Sequence, residues 1–107
     1  MNEWELIEEL TKEINVNPKN TLAFKVRATL KADIGEYEEA IKDFDKAIKI
    51  DPFDFSALFS RATLKADLGD MNGAIEDFKK ATAVDFYKAE NQELLIIKGQ
   101  KNYSSAM

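Results

Sequence analysis

The chain has 107 residues, 45% apolar and 33% charged, and its 15 basic and 20 acidic side chains leave a net charge of −5. That composition is typical of one soluble globular domain able to bury about two thirds of its surface, and its charge has the wrong sign for general nucleic-acid binding, which needs clustered Lys and Arg to displace counterions. Cysteine and histidine are absent, which removes disulfides, thiol nucleophiles, imidazole bases and the usual zinc ligands, and no run of 18 apolar residues is available to span a membrane.

Residues 1–16 read as a first helix near 3–15. The opening Met1, Asn2, Glu3, Trp4 and Glu5 is acidic and has no basic-then-apolar signal peptide, so the expected location is the cytoplasm; a segment cut from a longer protein would look the same. Trp4 is expected at an open edge of this helix. It either caps the end or meets another chain or an upstream segment.

Two copies of a 34-residue unit follow, at 17–50 and 51–84, identical at 16 of 34 places when overlaid without a gap. Pro18 falls on Pro52, Ala23 on Ala57, the stretch 27–33 on 61–67, Gly35 on Gly69, and Ala40, Ile41, Asp43, Phe44, Lys46 and Ala47 on Ala74, Ile75, Asp77, Phe78, Lys80 and Ala81. A fixed period of this length marks a stacked helical array. Each unit reads as two helices, because Phe24, Ala28 and Lys31, and then Tyr37, Ala40, Ile41, Phe44, Ala47 and Ile48, recur at helical and not alternating spacing. Gly35 and Gly69 stand where a helix must stop in a left-handed turn. Asn20, Asp54 and Asp70 are good N-caps, and Glu36 is a weaker one.

Overlaid with the same shift, residues 1–16 fall on the second helix of the unit, with Leu10 on Phe44 and Ile14 on Ile48. Residues 85–100 fall on the first helix of a third, fading unit. Its polar early half suits a terminal cap, with Leu94, Leu95 and Ile96 turned back on the second pair, Gly99 as its end and a frayed tail at 101–107. The predicted fold is therefore all-α and made of about six helices, near 3–15, 20–34, 37–49, 54–68, 71–83 and 87–98.

The pattern resembles the tetratricopeptide repeat family, whose signature is W-x2-L-G-x2-Y, then A-x3-F, then P. Phe24 stands at the Trp, Ala28 at the Gly, Ala40 and Phe44 at A-x3-F, and Pro52 at the Pro; Leu58, Ala62, Ala74 and Phe78 repeat this in the second copy. The signature's Leu is Arg27 and Arg61, its Tyr is Lys31 and Lys65, and the last Pro is Phe86. The resemblance implies a right-handed α-solenoid of antiparallel helix pairs. It also implies a concave face, lined by the first helix of each pair, that holds a peptide or helix of a partner. Carried onto this chain, the lining is Leu22, Lys25, Thr29, Ala32 and Asp33, then Ser56, Phe59, Thr63, Ala66 and Asp67. The spacing of these residues is itself one helical stripe. The family's clamp for a terminal carboxylate uses Lys and Asn. Lys25 fits one such place, but Thr29 and Thr63 stand for Asn, and Asp33 and Asp67 add negative charge, so a basic or neutral segment is the expected partner.

Arg27 and Asp43, repeated as Arg61 and Asp77, are expected to pair across each hairpin, since the guanidinium fork can hold a carboxylate with two bonds. The surface carboxylates and lysines, such as Glu38 with Lys42, are expected to be solvated salt-bridged faces. Residues 70–75 imitate part of a calcium loop, but Leu68 and Lys79 occupy the first and twelfth ligand places. No metal or other cofactor is expected, and the parts for catalysis are missing. The chain reads as a non-catalytic interaction module or adaptor. The alternatives are a self-associating module joined through Trp4 or the C-terminal helix, or a regulatory piece of a longer protein.

Overall fold

The computed structural model describes the backbone of residues 1–106 and the side chains of residues 1–90. Its helices are α1 (Glu3–Val16), α2 (Thr21–Asp33), α3 (Tyr37–Ile50), α4 (Phe55–Asp67) and α5 (Met71–Ala106). Each packs on its neighbour in sequence: α1 on α2, α2 on α3, α3 on α4 and α4 on α5.

The helix starts follow from side-chain oxygens that satisfy first-turn N–H groups. Asn2 accepts from the Glu5 N–H at 2.9 Å, Asn20 from Ala23 at 3.1 Å, Asp54 from Ala57 at 3.2 Å and Asp70 from Gly73 at 2.9 Å. Glu36 makes no such bond. The stops are equally regular. Gly35 and Gly69 take φ of 86° and 89°, a region that side chains with a Cβ rarely enter. The following N–H groups fold back: Gly35 and Glu36 donate to the Ala32 and Lys31 carbonyls, and Gly69 and Asp70 to the Ala66 and Lys65 carbonyls. This is the Schellman arrangement, and it turns the chain into the second helix of each pair.

The sixth helix expected from the sequence is joined to the fifth. α5 continues through residues 84–86, where a turn was expected, because the third unit has lost both devices that make the turn in the second. Pro52 is replaced by Phe86 and the capping Asp54 by Lys88, so no residue blocks the helix and none caps a new one. Gly99, expected as the stop, is passed as well: a Gly by itself only weakens a helix. The packing expected of Leu94, Leu95 and Ile96 lies outside the described side chains.

The core lies between the helices as a column of small and aromatic residues. Phe24, Ala28, Ala40, Phe44, Ala47, Ala57 and Leu64 form one cluster with Ile14 of α1. Leu58, Ala81 and Val84 form the next, with Ile48 packed against both. The alanines at the crossings are fully buried, as are Ala62 and Ala74, so the helix backbones approach closely. Phe78 is only half buried, unlike its counterpart Phe44.

Candidate functional site

The stripe predicted on α2 and α4 is a surface. Leu22, Thr29, Asp33, Ser56, Phe59, Thr63 and Asp67 are exposed, and Lys25, Ala32 and Ala66 are half buried. Between the two helices lies an open depression of about 360 Å³, lined by Leu22, Lys25, Val26, Thr29, Leu30, Phe44, Ser56 and Ser60. The Thr29 and Thr63 hydroxyls donate to the carbonyls of Lys25 and Phe59 in their own helices, at 2.9 and 3.0 Å. Their hydroxyl protons are therefore already used, while the methyls and the oxygens, as acceptors, remain for contact.

Lys25 is not a free cation. Its Nζ lies 2.8 Å from Asp54 Oδ2 and 3.2 Å from Ser56 Oγ, tying α2 to the start of α4. Burial pushes the Asp54 carboxyl up, but the bond from Lys25, the Ala57 N–H and the Ser56 hydroxyl outweigh it and hold Asp54 below its ordinary value. Asp33 and Asp67, by contrast, stand exposed in the last turns of α2 and α4 and form no ion pair among the described residues. Phe59 keeps 48% of its surface exposed while stacking on Phe55 at 5.8 Å and meeting Phe78 edge-on at 5.2 Å. These contacts fix the ring without covering it.

Behind the stripe runs a buried charge network. Arg27 holds Asp43 with two bonds of 2.8 and 2.7 Å, and Arg61 holds Asp77 with two of 2.8 Å. Asp43 and Asp77 are 3% and 1% exposed, so each needs the cations around it. Two members escaped the sequence reading. Lys31 and Lys65 also reach these carboxylates, at 3.1 and 3.0 Å. The third donor of each Arg then links back one helix: Arg27 Nη1 to Thr11 Oγ1 at 3.1 Å, and Arg61 Nη1 to Asp45 Oδ1 at 2.8 Å. Thr11 and Asp45 are themselves 34 residues apart, which is the signal that could have revealed the link. Burial alone would push the Asp77 carboxyl up; Arg61 and Lys65 outweigh it and hold Asp77 below its ordinary value. The bond to Asp43 raises Arg27, and the bond to Asp77 raises Arg61.

No described helix is long and apolar enough to cross a membrane. Trp4, 58% exposed, sits on the first turn of α1.

Two sequence profiles described as the tetratricopeptide repeat match consecutive stretches, residues 22–54 and 55–87, which together make more than half of the chain. No curated protein matches the chain in sequence. Among solved structures, the crystal structure of MamA superposes with a TM-score of 0.77 at 27% identity, over 78% of this chain and 49% of that one; the present chain thus spans about half its length. The second TPR of Spaghetti (RPAP3) bound to the HSP90 peptide SRMEEVD superposes with a TM-score of 0.70 at 35% identity, over 73% of this chain and 72% of that one.

Proposed function

Because the chain belongs to the tetratricopeptide repeat family, we propose that it is a non-catalytic protein-binding module whose α2–α4 face takes a peptide or helix of a partner. The observation that carries this is the exposed stripe itself, with Phe59 held by Phe55 and Phe78 yet half open. A rigid aromatic in such a place is the usual anchor of a binding face. The structure of a related repeat domain with a bound HSP90 peptide supports a peptide as the class of partner.

The charge of the face favours a basic or neutral segment over that acidic, carboxylate-ended one. Lys25 is already bound to Asp54, Thr stands at 29 and 63, and Asp33 and Asp67 add negative charge. Both aspartates sit at the negative end of a helix dipole, where they disfavour the helix. The dipole thus does not favour them there, and their exposure suits a role as readers of charge.

The test is selection from a displayed random-peptide library, followed by titration of the best binders. Binders rich in Lys or Arg beside one large apolar residue are expected. Phe59→Ala should weaken them at least about tenfold, or roughly 1.4 kcal/mol, with the fold intact by circular dichroism. Asp33→Asn with Asp67→Asn should flatten the salt dependence of binding. Binders untouched by both variants would overturn the assignment of this face.

A further inference from the structure

The two repeats present one surface twice, covered by α4 the first time and left open by the described residues the second. On α3 the stripe Ile41, Phe44 and Ile48 lies under α4: Phe44 is 3% exposed and clusters with Ala57 and Leu64. Thirty-four residues on, α5 carries Ile75, Phe78 and Thr82. There Ile75 is 49% exposed, and with Phe78, Lys79, Thr82, Ala83 and Phe86 it lines an open trough of about 530 Å³. Phe59 of α4 flanks it through its contact with Phe78. The trough continues the α3–α4 interface by one repeat.

We infer that this trough takes an amphipathic helix of a partner protein, with a carboxylate where α4 carries Arg61. In the covered copy α4 brings Ala57, Arg61 and Leu64 to the interface, at i, i+4 and i+7, and Arg61 Nη1 bonds Asp45 Oδ1 of α3 at 2.8 Å. The place of Asp45 on α5 is held by Lys79, which lines the trough and forms no ion pair among the described residues. A guest helix with Arg there meets a like charge; one with Asp or Glu meets an opposite one. The guest is therefore a helix with a small residue, an acid four places on and a large aliphatic residue three further. The chain's own residues at those three places are Asn91, Leu95 and Lys98, and none has the required character. The trough is separate from the α2–α4 face and has only Phe59 in common with it.

The probe is a synthetic peptide of residues 53–68 carrying Arg61→Glu, titrated into the full chain and followed by amide chemical shifts of Ile75, Phe78 and Lys79. It should bind about fivefold tighter than the unchanged peptide, as an exposed ion pair allows. Lys79→Asp should reverse the preference, while Asp33→Asn with Asp67→Asn should leave it unchanged. Shifts absent from α5, equal affinity for the two peptides, or a preference indifferent to Lys79→Asp would overturn the inference. So would sedimentation showing that a second copy of the chain fills the trough. The α2–α4 face is tested by other residues and would stand or fall separately.

Discussion

At the scale of single residues, the chain replaces two apolar places of its repeat signature with cations and buries a carboxylate to meet them. Arg27 and Lys31 share Asp43, and Arg61 and Lys65 share Asp77. A buried ion pair of this kind is weak ground for net stability, but removing one partner is costly because the other charge stays buried. Asp77→Ala should therefore cost on the order of 3 kcal/mol in urea titration, whereas Glu76→Ala, on the exposed Glu76–Lys80 pair, should change stability by less than about 1 kcal/mol. The same group sets a pH response. Asp77 is held below its ordinary value of 3.8 in the folded state, so the unfolded chain takes up the proton first as pH falls. Its contribution is complete above that ordinary value and is lost as pH drops through the depressed one. In Asp77→Asn the slope of stability against pH in this acid window should be shallower; an unchanged slope would show that other carboxylates govern acid unfolding. The Arg–Asp pairs were legible in the sequence from their recurrence and spacing. Lys31 and Lys65 were not, because a Lys at the signature's Tyr place reads as a departure until the fold turns it toward the same carboxylate. Nor was the bond from Lys25 to Asp54, which depends on how one repeat sits on the next.

At the scale of the elements, turn chemistry decides where helices end, and periodicity only suggests it. The boundaries of α2, α3 and α4 were legible because Gly35, Gly69, Asn20, Asp54 and Pro52 each force or satisfy one backbone group. The break after Val84 was inferred from faint likeness to a third unit, and the residues there do not enforce it. Restoring them should create it: Phe86→Pro with Lys88→Asp copies the Pro52 and Asp54 positions and should split α5. The split would appear as faster amide exchange and loss of helical chemical shifts at residues 85–88. A helix still continuous through those positions would mean that the turn at Pro52 depends on packing of the following helix and not on its own residues. The left-handed stops carry a parallel expectation. Gly69→Ala places a Cβ at φ 89° and should cost about 1 kcal/mol, although nothing lies close enough to clash with it.

At the scale of the whole molecule, stability in a stack is carried between neighbours, so equivalent residues are worth different amounts at different places. Phe44 and Phe78 occupy the same position of the repeat. Phe44 has helices on both sides and is 3% exposed; Phe78 has α4 on one side and an open trough on the other. Removing the Phe44 ring leaves a cavity that the surrounding helices cannot fill, at a cost of about 3–5 kcal/mol. Removing the Phe78 ring opens a surface that already meets water, and its cost should be about half as large, since only the buried part of the ring is lost. Urea titration of Phe44→Ala and Phe78→Ala measures the two costs directly. Native-state hydrogen exchange should agree, with α4 and the first half of α5 opening at lower free energy than α2 and α3. Equal costs would mean that the last repeat is as well supported as the first, which requires something to cover the trough in solution. Where the costs differ, the terminal repeat is the less stable part of the stack, and a guest helix seated beside Phe78 and Lys79 would stabilise the C-terminal half of the described structure more than the N-terminal half.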